Sequence, residues 1–300
     1  MKTNSVIVYL VRNTKRDIKD LKKSLHLLDI NFNDRFNYPV VIFHENFTDT
    51  IINNIRSHTN SYMMFEKITF EIPNFLNKLD IPKYVYIDDS PYSAGFNIGY
   101  RHMCRFFAGM MYNQPILKDF DYYWRLDTHS YILKPIKYNV FEYMMNNNFE
   151  YGYVDSGKDI ASTDTLWQTT LQYFKDKNIY CNKMWNGFAY GTNFEISSFE
   201  FWRSKVYQDF FNYIDKSGGI YKYRWGDHII HHLALTLFMP EHKLHKFADI
   251  IYQHKEDCYN HKRKVSLLSK LVSPFYIHLL RVSSLLKKKS KLYRKFRDGN

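Results

Sequence analysis

Cysteine is scarce in this chain: Cys104, Cys181 and Cys258 are the only three in 300 residues, and no CxxC pair occurs among them. That excludes a disulfide framework and a thiolate zinc site as the basis of the fold; a single bridge stays open, and a reducing compartment fits. Glycine (11) and proline (8) are also few, and no Pro/Gly/Ser-rich linker or internal repeat divides the sequence. Long apolar runs are absent as well. The opening VIVYLV is too short for a bilayer span and lacks the small-residue cleavage site of a leader. The expectation is a chain with no signal peptide or transmembrane anchor, cytoplasmic or peripheral at a membrane surface.

What is present is 45% hydrophobic residues, enough for one large core, and a formal charge of +12. The charge is unevenly placed. Residues 262–300 hold twelve Lys/Arg against Asp298, which leaves only +1 for residues 1–261. The body is electrically ordinary, and no nucleic-acid partner is expected. The tail joins VSLLSKLVSPFYIHLLRVSSLL to KKKSKLYRKFR, which fits either a peripheral membrane contact or a solvated basic extension, while Lys270, Pro274, His278 and Arg281 argue against a spanning helix.

SVIVYLVRN reads as a buried strand, residues 15–29 repeat apolar positions at helical spacing, and YPVVIFHE (38–45) is a second strand. Strand, helix, strand favours a parallel sheet covered by helices. Residues 92–112 read as helical, FDYYWRL (120–126) as a strand stopped by Asp127, and helices are expected at 137–148, 164–177, 205–216 and in HIIHHLALTLF. In an open α/β sheet ligands gather beyond the carboxyl ends of strands, where Asp127 stands.

An acid at that place can present oxygen to Mg²⁺ or Mn²⁺, as in many nucleotide-sugar transferases, or it can simply form a turn. The usual second acid of a D-x-D pair is replaced by His129. HIIHH (228–232) has zinc-like spacing, but Ile stands where a metalloprotease needs Glu, which leaves packing or surface histidines. Glu195, among apolar neighbours in TNFEIS, needs either a raised pKa or a cationic partner, and fits a structural salt bridge as well as a catalyst.

Taken together, YRHMCRFFAG, YYWRLD, TLWQTT, TNFEI, GGIYKYRWGDHIIH and DIIYQH follow one another as do similar segments of the fungal α-1,2-mannosyltransferases of glycosyltransferase family 15. LVRN and FNYPVVIF resemble that family's first strands, so the resemblance spans about residues 5–260. It implies an α/β GT-A fold, a central mostly parallel sheet flanked by helices, with 1–261 as catalytic domain and 262–300 as tail. It also implies a retaining enzyme that moves mannose from GDP-mannose to a mannose 2-hydroxyl of an oligosaccharide, glycoprotein or glycolipid, assisted by Mn²⁺.

By the same resemblance, Asp127 and His254 are the metal ligands, with His129 a candidate third. Glu195 is the nucleophile or the stabiliser of an oxocarbenium-like transition state, and Tyr100 touches a sugar hydroxyl or the leaving phosphate. Arg12, Arg105, Trp167, Arg224, Trp225 and Asp227 are expected around the donor. Asp127 stands where the family has Glu, Thr128 replaces a proline, and GFAYG replaces a Cys-His-Phe-Trp stretch. Those departures keep a second expectation in view, an inactive relative that binds glycans or membranes.

Overall fold

A computed structural model describes residues 4–86, 95–159, 163–181 and 184–260. The expectations for the tail 262–300 lie outside these residues.

The described strands are β1 (Ser5–Leu10), β2 (Val40–His44), β3 (Met63–Lys67), β4 (Tyr122–Leu126), β5 (Ser130–Ile132), β6 (Tyr151–Tyr153), β7 (Ser156–Lys158), β8 (Phe188–Tyr190), β9 (Phe194–Ser198), β10 (Leu244–Lys246), β11 (Tyr252–His254) and β12 (Asp257–Tyr259). Seven form the central sheet in the order β10-β6-β9-β4-β1-β2-β3. All its pairings are parallel except those of β9, which runs antiparallel between β4 and β6. β5, β11 and β12 make a three-stranded sheet, and β7 pairs with β8.

β1 forms because β-branched side chains suit a pleated surface and every one of them finds cover. Val6 and Val8 join one core with Val41, Phe43 and Tyr123. Ile7 and Tyr9 enter the other with Val40, Ile42, Trp124 and Leu126. Each burial contributes about 1.5–3 kcal/mol, and period-2 alternation is what lets one strand feed two cores. Helix Lys15–Leu28 closes one face with Leu21, Leu25 and Leu28, and starts at Thr14, whose hydroxyl accepts from the Asp17 N–H. Helices Lys205–Ser217 and Asp227–Phe238 cover the other face.

The helix expected over 92–112 is shorter. It runs Ile98–Arg105, then widens to a π turn at Phe106–Met110 and ends in a 3₁₀ turn. Gly109 sits in the widened turn against the Phe211 ring, and any side chain there would collide with it.

Candidate active site

β4 supplies the centre of the site. Alternation places Tyr123 and Arg125 on the face opposite Trp124 and Leu126, and Asp127 follows at the strand's end. Arg125 is 2% exposed and donates through Nη1 to Asp227 Oδ2 at 2.5 Å, with Nη2 3.5 Å from Asp127 Oδ1. Its guanidinium lies 3.5 Å over the Phe107 ring, and Thr192 donates to the same Asp227 oxygen at 2.7 Å. A buried charge needs such pairing, because its lost hydration is otherwise unrecovered. Burial pushes the Asp227 carboxyl up, but the charge of Arg125, helped by His231 and His228, holds it well below the usual carboxylate range.

Asp127 and His254 meet through strand pairing. After β4 the chain turns back, Asp127 N–H donating to Ser130 Oγ and Ser130 N–H to Asp127 O, both at 3.0 Å. Antiparallel β5 and β11 then set Ser130 opposite His254. Asp127 Oδ2 stands 3.6 Å from His254 Nε2, and that buried nitrogen has no hydrogen-bond partner. The two side chains are 29% and 14% exposed. Burial raises the Asp127 carboxyl, and His254 and Arg125 outweigh it, leaving the group below its ordinary range.

The gap is too long for a hydrogen bond and suits two ligands of one cation at about 2.1 Å from each. A carboxylate with an imidazole matches Mn²⁺ better than Mg²⁺. The residues present therefore fit a divalent ion. Among the described residues no group of three His, Cys, Asp or Glu converges on one point, so further ligands would come from substrate and water. His129, the candidate third ligand, is turned away. Its Nε2 lies 3.3 Å from Asp20 and its Nδ1 2.9 Å from Thr128 Oγ1, because the tight turn after Asp127 aims it at helix Lys15–Leu28.

Glu195 is on β9, the strand next to β4. β9 sets it directly across from Arg125 on β4 and across from Tyr153 on β6. It is 0% exposed. Tyr123 donates to Oε1 at 2.5 Å, Tyr151 to Oε2 at 3.0 Å, and His231 Nδ1 is 2.9 Å from Oε2. Burial and the neighbouring Glu195 hold both phenols far above their ordinary pKa, so they remain donors.

Arg224, Asp159 and His228 form a third cluster. Arg224 Nη1 donates to Asp159 Oδ2, and His228 Nε2 is on the same oxygen, each at 2.9 Å. The Arg224 guanidinium is 4.3 Å from the Phe96 ring and 5.9 Å from that of Tyr100. Its φ of 57° lies in the left-handed region that a β-carbon disfavours, a conformation often held at functional sites. Burial drives the Tyr100 hydroxyl far up in pKa, so it stays a donor.

Arg105 and Trp225, two of the other expected donor contacts, are engaged inside the fold. Arg105 forks onto Asp215 with its closest contacts at 2.8 Å. Trp225 is buried against Gly219 and donates to Thr165 at 2.9 Å. Trp167 packs half-buried on helix Thr163–Asp176. Arg12 is 73% exposed just past β1, paired with Asp17 at 2.6 Å. Arg125, Thr192 and Asp159 were not singled out from sequence, and His231 was weighed only as part of the zinc-like spacing of HIIHH. A signal existed for two of them: Arg125 is a charge inside a buried strand two positions before Asp127, and His231 is four positions after Asp227 on one helix face.

The family model described as glycolipid 2-alpha-mannosyltransferase matches residues 1–268. The chain belongs to this family. Glycolipid 2-alpha-mannosyltransferase 1 of Candida albicans is 32% identical over 272 residues, covering 84% of this chain and 63% of the relative. Alpha-1,2 mannosyltransferase KTR1 of Saccharomyces cerevisiae is 32% identical over 269 residues, 83% of this chain and 68% of the relative. The chain thus spans 63% of the length of the Candida relative. Core-mannan synthase A (CmsA/Ktr4) of Aspergillus fumigatus, solved in a Mn/GDP form, superimposes with a TM-score of 0.76 at 28% identity, over 86% of this chain and 76% of that one. Ktr4p of Saccharomyces cerevisiae in complex with GDP gives 0.76 at 27% identity, over 86% and 72%. The expected GT-A-type architecture, a mostly parallel sheet flanked by helices, is therefore the fold of this family member. Among the described residues no helix is long and apolar enough to cross a membrane.

Proposed function

We propose that this chain is a retaining mannosyltransferase, taking mannose from GDP-mannose to the 2-hydroxyl of a mannose-containing oligosaccharide, glycoprotein or glycolipid. One observation carries the reading: Asp127 and His254 leave a partly open 3.6 Å gap at the carboxyl end of β4, beside a buried Arg125–Asp227 pair. Asp127 and His254 would hold Mn²⁺, which neutralises charge on the diphosphate leaving group. Arg125 fixes both Asp127 and Asp227 from below. On this reading the exposed Arg12 and the ring-stacked Arg224 would meet phosphate oxygens, and the Tyr100 hydroxyl would donate to a sugar hydroxyl or the leaving oxygen.

Glu195 contributes negative charge near the sugar as positive charge develops at its anomeric carbon, an effect of the kind whose removal costs about 10²–10³ in kcat. Its carboxyl is enclosed and receives hydrogen bonds on both oxygens, which supports a stabilising role over covalent attack and hence departure and entry on one face of the sugar.

Purified protein given radiolabelled GDP-mannose, Mn²⁺ and α-methyl mannoside should yield a labelled α-linked disaccharide, and chelation should stop its formation. Neither transfer nor metal-dependent hydrolysis across a panel of nucleotide sugars would overturn the reading in favour of an inactive binding relative.

A further inference from the structure

We propose that Arg101 is a positioning residue for the donor site: its buried guanidinium binds together, through four backbone carbonyls, the three chain segments that carry Phe96, Tyr100 and Arg224. That Tyr100 and Arg224 meet the donor rests on the function proposed above; that Arg101 holds their segments does not.

Arg101 is 0% exposed, on the helix Ile98–Arg105. Its Nη2 donates to the carbonyl of Pro82 at 2.7 Å and to that of Lys83 at 3.1 Å. Its Nε donates to the carbonyl of Asn97 at 3.3 Å, and its Nη1 to that of Tyr221. All four acceptors are neutral. A guanidinium moved from water onto neutral carbonyls recovers less of its lost hydration than one placed on a carboxylate, so mere space filling would be served better by an apolar side chain. What the guanidinium adds is geometry. Its rigid planar fork reaches several carbonyls in fixed directions, which the single ammonium of a lysine on its flexible stem does not.

Each carbonyl belongs to a segment that leads to a group of the site. Lys83 stands two residues before Val85, which exchanges both backbone hydrogen bonds with Phe96, at 3.1 and 2.8 Å. The Phe96 ring in turn carries the Arg224 guanidinium at 4.3 Å. Asn97 caps the helix Ile98–Arg105, its side chain accepting from the Tyr100 N–H at 3.1 Å, so a hold on Asn97 is a hold on the turn that presents Tyr100. Tyr221 lies in the last turn of the short helix Gly219–Tyr223, where carbonyls lack a donor from the helix itself. Arg224 follows that helix at once with its φ of 57°, a conformation that persists only where the surroundings fix it. Arg101 fixes the carbonyl three residues before it, from the helix that bears Tyr100.

Hydrogen exchange read by mass spectrometry on the full chain, without metal or donor, tests the clamp. In Arg101→Lys, peptides covering 82–86 and 219–226 should exchange at least about tenfold faster than in the wild type, while those of β1, β4 and β9 keep their wild-type rates. Unchanged exchange in 82–86 and 219–226 overturns the proposal, and faster exchange throughout the sheet overturns it in favour of general support of the fold. Kinetics tests the role. KM for GDP-mannose should rise about tenfold in Arg101→Lys with kcat within about threefold of wild type, because donor contacts are misplaced while Asp127, His254 and Glu195 are untouched. Arg101→Met, which keeps much of the volume and removes every donor, should show a larger rise. Wild-type constants in either variant, or a loss confined to kcat, would overturn the positioning role. Absence of transfer by the wild type itself would instead sink the functional reading, while exchange still decides the clamp.

Discussion

Two carboxyl–histidine pairs flank Arg125, and they are built oppositely. Asp127 and His254 stand 3.6 Å apart, partly exposed, with a buried imidazole nitrogen unpartnered. Glu195 and His231 stand 2.9 Å apart, enclosed, with every polar atom of both side chains in a hydrogen bond. A carboxylate and an imidazole are thus arranged in two ways. A gap with a spare lone pair suits a cation from outside, and a closed, fully satisfied network suits holding side chains in one arrangement. Arg125 lies between the two and touches the first through Asp127 and the second by lying across from Glu195 in the sheet.

The change that should damage both pairs most is Arg125→Met. Removing one partner of a buried ion pair leaves the Asp227 carboxylate with the Thr192 hydroxyl and no close cation as strong as Arg125, and the expected loss is about 3–5 kcal/mol of unfolding free energy in denaturant titration. Combining it with Asp227→Asn should recover part of that loss, since no bare charge then stays buried. If Arg125→Met alone is neutral, the pair is not the strut between the two sites.

Asp127→Ala should separate the pairs. Without its carboxylate the open pair loses its anionic ligand, and calorimetry should show Mn²⁺-dependent GDP binding weakened about 10²-fold or more, near 2.7 kcal/mol, with transfer falling in step. Unfolding should shift by less than about 1 kcal/mol, because Asp127 is a partly exposed partner of Arg125 and Asp227 remains. A large loss of stability would mean that Asp127 is structural and that the open pair is not open.

Much of the frame was legible. A β-branched run, a 3.6-period segment and a Tyr-Pro strand announce a parallel sheet because each pattern is local, and the aromatic run ending in Asp127 marks a strand's carboxyl end, where ligands gather in open α/β sheets. The antiparallel insertion of β9 was not legible, since a strand's direction relative to neighbours is decided by pairing partners far away in sequence. Three-residue strands such as β5 and β11 carry too few positions to show a period, yet their register is what brings His254 to Asp127. Resemblance to known segments pointed to Glu195, but its enclosure depends on Tyr123, Tyr151 and His231, which converge from three separate elements. Arg125 and Asp227 are 102 residues apart, and only the fold shows that one charge answers the other.

Histidines elsewhere in the fold give a smaller contrast. His232, beside His231 but 7% exposed among Phe188 and Tyr190, has no carboxylate partner, and burial lowers its pKa to about 4. A folded-state pKa below the unfolded value near 6.5 means stability is full above about pH 6.5 and declines as pH falls toward 4. Over that window the wild type should lose on the order of 2 kcal/mol to this residue. His232→Phe should flatten that part of the stability curve in urea titrations at several pH values. An unchanged slope would show that the ring protonates without cost.

The smallest effect should come from His129, the histidine nearest to Asp127 in sequence and yet outside both pairs. Its ring contacts Asp20 at 3.3 Å on a partly exposed flank, a surface-type ion pair worth about 0.2–1 kcal/mol when charged. His129→Ala should therefore cost no more than that in unfolding and leave Mn²⁺ affinity within about twofold of wild type, whereas His254→Ala should lower that affinity by about 10–100-fold. The two substitutions remove the same side chain from opposite ends of one short stretch of structure, with ring centroids 6.4 Å apart. Comparable losses of metal affinity in the two variants would mean that His129 swings from Asp20 to the cation, and the open pair would then be a triad that closes only when metal arrives.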